Sequence, residues 1–328
     1  MKLITLEGIS YIDSSKAPKC TVNDVIDIRT FPGHAGTSEW KMPSRIAYVE
    51  DAEGRTVPRI GFQVNAKMKS FSWTKLLLDE NARPTEYDDP SLKQTEGQGL
   101  LRLPADKTVV EVVADFFREL YKWLIEHLAR TISQGILDAT PMEFWFTIPA
   151  IWSDQAKDRM ISAATAAGFL SRAGDELYLI PEPEAAGIAT LKRFAESTSL
   201  PRTKPGDGVL ICDCGGGTVD ITSYKVIEVW PKLELEELVE GIGGKCGSTY
   251  IDREFHQWMS RTFGKAFDNL KFEKIGPGSP FMKNFESCKR NFGSSSDLDQ
   301  DYDINLVMSD APNSDFYNRE EWEVKLTG

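Results

Sequence analysis

The hydrophobic positions of this 328-residue chain change period several times, and each change marks an element. In residues 109–132, Val113, Phe116, Phe117, Leu120, Leu124 and Leu128 recur three or four apart among polar positions, the stripe of an amphipathic helix. Thr108 and Glu111 supply the Thr-x-x-Glu pattern of a capping box at its start. Short apolar runs predict strands at residues 25–29, 43–49 and 59–64, the last two joined through the hairpin signal Asp51-Ala-Glu-Gly54. A buried strand is predicted at 144–148, ending at Pro149, and Ser153 can cap an alanine-rich helix that stops at Gly168. A short strand at 177–180 leads to a helix from about Glu184. Residues 209–212 and 219–229 are rich in β-branched and apolar side chains and read as sheet interior. Helices are predicted at 248–263 and 281–292. Residues 31–36 read as a turn, 80–99 as a loop, 202–208 as a connector and 293–302 as an exposed acidic loop. This alternation places the chain in the α/β class.

Composition adds limits rather than detail. With 41% hydrophobic residues the chain is globular and large enough for two compact lobes. Its net charge is −12, and no Lys/Arg cluster offers a basic face, which argues against a nucleic-acid partner. Asp115, Arg118, Glu119, Lys122 and Glu126 interrupt the longest apolar pattern, so no membrane span is expected. The first seven residues are too short and too soon acidic for a signal peptide, and a cytoplasmic location is the default. The five cysteines are scattered and odd in number, unlike a disulfide framework. Cys212 and Cys214 share one strand face; without a second pair or a nearby His they are expected to be buried, reduced thiols rather than a metal site.

The chemistry concentrates in residues 210–220, Leu-Ile-Cys-Asp-Cys-Gly-Gly-Gly-Thr-Val-Asp. A strand delivers Asp213 to its end, and Gly215, Gly216 and Gly217 turn the chain back. Glycines leave backbone N–H groups uncovered, so such a hairpin can wrap phosphate oxygens. Thr218 adds a hydroxyl donor, and Asp213 and Asp220 offer hard oxygens to Mg²⁺ or its waters. Gly243 and Gly244 would let a second backbone segment approach the same phosphates before Ser248 starts a helix. Glu286, Lys289 and Arg290 fall at i, i+3 and i+4, on one helix face.

Residues 213–220 resemble the second phosphate loop of the actin, sugar kinase and heat-shock ATPase superfamily. Trp145-Phe-Thr-Ile-Pro-Ala-Ile-Trp-Ser153, Pro181-Glu-Pro-Glu-Ala-Ala-Gly187 and Gly243-Gly-Lys-Cys-Gly-Ser-Thr249 resemble consecutive signatures of the seventy-kilodalton heat-shock chaperones. Pro-Glu-Ala-Ala and Gly-Gly-x-Cys-Gly-Ser point to the divergent branch of that family, and the likeness runs over residues 25–293 in family order. It implies an actin-like ATPase fold, two RNase H-like lobes around a nucleotide cleft. Residues 1–200 would form lobe I, with an insertion at about 41–107. Residues 201–328 would form part of lobe II, its upper subdomain at about 243–328.

The resemblance also implies ATP or ADP with Mg²⁺ as ligands, and client proteins or co-chaperones as partners. Asp213 would take part in catalysis and, with Asp220, hold hydrated Mg²⁺. Glu182 would orient the attacking water, Lys75 would stabilise the γ-phosphate, and Glu286, Lys289 and Arg290 would contact adenosine. The family's serine one turn after Arg290 is Gly293 here. Nothing in residues 1–30 matches the family's first phosphate loop, D-x-G-T-T, and the chain reaches Gly328 inside the expected upper part of lobe two. The expectation is therefore an ATPase-domain fragment, incomplete at both ends, in which hydrolysis is weak or absent. A nucleotide-independent scaffold, a truncated gene product and a small-molecule kinase of the same superfold are the alternatives. The fragment should expose strand edges and an apolar patch.

Overall fold

A computed structural model describes residues 6–13, 21–33, 38–79, 86, 88, 102–196, 203–229, 233–293 and 301–326. Most of the loop expected at 80–99, part of the turn at 31–36, residues 294–300 of the acidic loop, and Cys20 lie outside the described residues. The architecture is mixed α/β, and the chain divides into two compact units. The first comprises Met1–Gln63 and Ser70–Tyr250, the second Val64–Lys69 and Ile251–Gly328. Among the described residues no helix is long and apolar enough to cross a membrane.

The long helix of the first unit, Val109–Ile132, forms for the local reasons its sequence announces. Thr108 Oγ1 accepts from the Glu111 N–H while Glu111 accepts from the Thr108 N–H at 2.8 Å, closing both halves of the capping box. Its stripe residues Val113, Phe116, Phe117, Leu120, Leu124 and Leu128 are all buried. They pack in one core with Phe144 and Ile148 and with Ala156, Met160, Ala163 and Ala164 of the helix Asp154–Ala167. Phe169 sits amid aromatic neighbours there, with the rings of Phe117, Tyr121, Phe144 and Phe146 centred within 6.0 Å of its own. The helix Asp154–Ala167 starts at Ser153, whose side chain accepts from Ala156 N–H, and ends at Gly168, whose φ of 104° suits glycine.

Two small sheets position the candidate site. Glu143–Ile148 and Glu176–Pro181 pair in parallel, with Ile148 opposite Pro181, so both strands end at the same edge. The helix Glu182–Glu196 begins immediately after, placing Glu182 at that edge. Gly208–Cys214, Val219–Glu228 and Glu234–Gly244 form a three-stranded antiparallel sheet in that order. Only Val219–Glu228 is central; Gly208–Cys214, expected inside a sheet, is an edge strand among the described residues. One face buries Asp213, Asp220, Thr222, Tyr224 and Val226, and the other leaves Leu210 71% exposed and Cys212 and Cys214 in the open. Those two thiols are therefore not the buried ones the sequence suggests.

The second unit builds its own core from Phe255, Met259, Phe281 and Phe285, with Ile304, Tyr317 and Val324 from a small sheet. Phe255 and Phe285 stack with ring centroids 3.8 Å apart. The buried Tyr317 hydroxyl donates to Leu306 O at 2.9 Å and accepts from Met308 N–H at 3.0 Å, which satisfies it inside that core.

Candidate functional site

Lys75 lies in a single 3-10 turn, Thr74–Leu78, entered from Trp73 in a left-handed backbone conformation, φ 64°. The turn is tied to its surroundings at its end: Arg159 donates to Leu78 O at 2.9 Å, and Ser153 Oγ donates to Asp79 at 2.8 Å. Lys75 is only 7% exposed, unlike a solvated surface lysine. Its ammonium forms a buried ion pair with Glu182, donates to Thr147 O at 3.3 Å, and stands 5.4 Å from the centroid of the Trp152 ring. Thr147 lies near the end of one parallel strand and Glu182 directly after the matched end of the other, the usual location of ligand sites in α/β sheets. The sequence signal for Glu182 is its Pro-Glu-Pro-Glu-Ala-Ala setting. Sequence reasoning does not single out Thr147 and Trp152, although both lie inside the signature at 145–153.

Strand register creates the second half of the site. Asp213 and Asp220 are directly opposite each other, and Asp220 is in turn opposite Gly243. Like charges facing across a strand pair repel, and here both are buried, at 4% and 2% exposure. Both Asp213 carboxylate oxygens and Asp220 Oδ1 are buried without a hydrogen-bond partner; Asp220 Oδ2 accepts from Thr218 Oγ1 at 2.9 Å. Burial, reinforced by the negative charge of Glu182, raises the Asp213 pKa. Burial likewise lifts Asp220 to about 6; Glu182 and Asp213 add to the rise, while the Thr218 hydrogen bond and Lys75 oppose it. A Cβ at position 243 would lie 2.6 Å from Asp220 Oδ1, so a side chain there would have to push that carboxylate aside.

The glycine turn is anchored through its carbonyls. Gly217 O accepts from Gly247 N–H, Gly215 O from Ser248 N–H, and Gly216 O from both the N–H and the hydroxyl of Thr249. The Gly215 N–H closes the turn onto Thr218 O at 2.8 Å. Gly247 packs against this backbone so closely that a Cβ would meet Gly215 O and the Gly216 carbonyl carbon at 2.6 Å. Sequence reasoning gives Gly247 no role, yet the Gly-Gly-x-Cys-Gly-Ser-Thr spacing holds the signal. Thr218, Asp220, Gly243 and Gly244 line a cleft of about 50 Å³ together with Leu76 and Trp152.

Among the described residues no three acidic, His or Cys side chains converge as a ready-made metal cage. Two aspartates with unsatisfied hard oxygens do fit Mg²⁺, which retains several waters and takes only one or two carboxylates from a protein. The remaining predicted group, Glu286, Lys289 and Arg290, lies on the helix Pro280–Asn291 of the second unit. Lys289 Nζ meets Glu286 at 2.6 Å and Asp252 at 2.8 Å, and Arg290 Nε meets Glu286 at 2.8 Å. Burial disfavours the Lys289 ammonium, but Asp252 and Glu286 outweigh it and hold its pKa above the ordinary lysine value.

No family model matches the chain. It is 28% identical over 233 residues to heat shock 70 kDa protein 12B of Homo sapiens, covering 56% of this chain and 34% of that protein. It is 26% identical to heat shock 70 kDa protein 12A of Mus musculus over an alignment of 346 residues, 87% of this chain and 48% of that protein. With the chaperone protein DnaK of Thermosipho melanesiensis it shares 26% identity over 241 residues, 72% of this chain and 36% of the relative. The chain thus spans between a third and a half of the length of these curated relatives. It is a divergent chain similar to the 70 kDa heat-shock proteins, as its ordered motifs imply.

Proposed function

We propose that this chain binds ATP or ADP with Mg²⁺ in the manner of a heat-shock-70 ATPase domain and hydrolyses ATP slowly. The observation that carries the reading is the facing pair Asp213 and Asp220, buried with three unsatisfied carboxylate oxygens beside Thr218 and the glycine turn. Those oxygens would hold Mg²⁺ or its waters, and the cation would supply charge neutralisation to the phosphates. Gly216 and Gly217 would receive phosphate oxygens on one side, Gly243 and Gly244 on the other, while the Gly215 N–H stays on Thr218 O and the Thr218 hydroxyl would have to leave Asp220 to join them. Lys75 would stabilise charge on the terminal phosphate and Glu182 would orient water. These two neutralise each other in a buried pair, so their engagement with substrate requires that pair to open. Such an exchange would slow turnover.

The two-lobe actin-like arrangement, the adenosine roles of Glu286, Lys289 and Arg290, and engagement of clients or co-chaperones belong to the same proposal and rest on the family likeness. Calorimetric titration of the whole chain with Mg-ATP tests it. Gly216→Val places a branched side chain in the phosphate turn and should abolish binding, and Asp213→Asn should weaken its Mg²⁺ dependence. Wild-type binding that neither substitution alters would overturn the assignment.

A further inference from the structure

We propose that Cys212 and Cys214 form a reversible oxidation site, closing a disulfide across Asp213 when the chain meets a small-molecule disulfide such as glutathione disulfide. The two thiols are free and exposed on one face of the edge strand Gly208–Cys214, with their sulfurs 3.5 Å apart. Asp213 between them points to the buried face. At about 3.3 Å per residue, alternate Cα atoms of a strand lie roughly 6.6 Å apart, near the upper limit of what a disulfide spans. Same-face Cβ atoms two residues apart in a strand are likewise about 6–7 Å apart, whereas a disulfide needs about 3.5–4.5 Å, so closure requires the strand to buckle locally at Asp213. A bond under such strain is readily reduced again, as regulatory disulfides are.

The chemistry balances with glutathione disulfide as oxidant. The sulfur of one cysteine, its proton lost to solvent, attacks a sulfur of the small disulfide and expels one glutathione thiolate. The neighbouring cysteine, also losing its proton, attacks the mixed disulfide and expels the second. The protein gives up two protons and two electrons, and the oxidant becomes two thiols. The new ring has Asp213 as its middle residue, so buckling acts on the backbone pairs Cys212↔Ile221 and Cys214↔Val219 and on the entry to the glycine turn. None of this depends on a nucleotide being the ligand.

The native chain, without denaturant, is equilibrated in glutathione buffers of increasing disulfide fraction, acid-quenched, unfolded and labelled with maleimide. Labels should fall from five to three of the chain's five cysteines. The unlabelled mass should drop by about 2 Da, with the bridge mapped between residues 212 and 214, and dithiothreitol should restore all five labels. Cys246→Ser should keep the two-label loss, whereas Cys212→Ser should show no intramolecular bridge. Amide protection across 208–214 and 219–228 should fall on oxidation. Five labels at every buffer ratio, a bridge to Cys246, or persistent glutathione adducts without closure would each overturn the proposal.

Discussion

Asp220→Asn tests the electrostatics of the site through its pH dependence. The Asp220 carboxyl is lifted by burial from 3.8 to about 6. Between these values the folded chain holds a proton that the unfolded chain has released, so stability falls as pH rises through that window and levels off above it. At about 1.36 kcal/mol per pKa unit, keeping Asp220 ionised at neutral pH costs about 3 kcal/mol. The asparagine variant lacks this slope. Its amide oxygen can still accept from Thr218, while its NH₂ group replaces the unsatisfied Oδ1, a pH-independent cost of about 1–3 kcal/mol if unpaired. The difference in unfolding free energy, variant minus wild type, should therefore rise by about 2–3 kcal/mol between about pH 4 and about pH 7, whatever its absolute value. Urea denaturation at a series of pH values, in buffer free of Mg²⁺ and nucleotide, measures it. Parallel profiles for the two proteins, or a difference that falls with pH, would refute the reasoning.

Three further outcomes are expected. Lys75→Met leaves Glu182 buried without its cation and should destabilise the chain by about 3–5 kcal/mol, with Glu182→Gln in the same background recovering most of it; denaturation midpoints decide this. Gly247→Ala forces a Cβ against the backbone of Gly215 and Gly216, so it should cost about 1–3 kcal/mol and weaken Mg-ATP binding in calorimetry, because backbone cannot swing aside as a side chain would. Thr108→Ala removes the capping-box acceptor of the helix Val109–Ile132 and should cost about 1 kcal/mol in thermal unfolding without changing ligand affinity.

Features of this chain are legible in proportion to how much of their cause is local. The helix Val109–Ile132 carries its cap and its stripe within its own residues. The glycine turn likewise declares itself in residues 210–220. By contrast, Glu234–Gly244 is dense in glutamate and glycine and has little strand propensity; it is held by pairing with Val219–Glu228, including Lys225 opposite Glu236. The strands Tyr302–Asn305, Tyr317–Asn318 and Glu323–Leu326 are too short to show a period. The exposure of Cys212 and Cys214 is hidden because apolar residues on both sides of a strand suggest burial on both faces, whereas Leu210 stands 71% exposed. The burial of Lys75 depends on Glu182, 107 residues away, and no local pattern can announce it.

The candidate site is locally unfavourable, and its unfavourable features share one geometry. Two aspartates face each other across a strand pair, three of their oxygens lack hydrogen-bond partners, and Glu182 adds a third acid nearby, against the ammonium of Lys75. Folded chains retain such arrangements where binding recovers the free energy, since a ligand that meets only the native state stabilises it in proportion to its occupancy. A cation that satisfies those oxygens would favour the ionised carboxylates and so flatten the pH slope expected for Asp220. Gly243 belongs to the same arrangement: a Cβ at that position would stand 2.6 Å from Asp220 Oδ1 and displace the carboxylate from the cleft it lines. The close approach of Gly243 on one strand to Asp220 on the next thus couples the second glycine segment to the acid pair by sterics, independently of any family likeness.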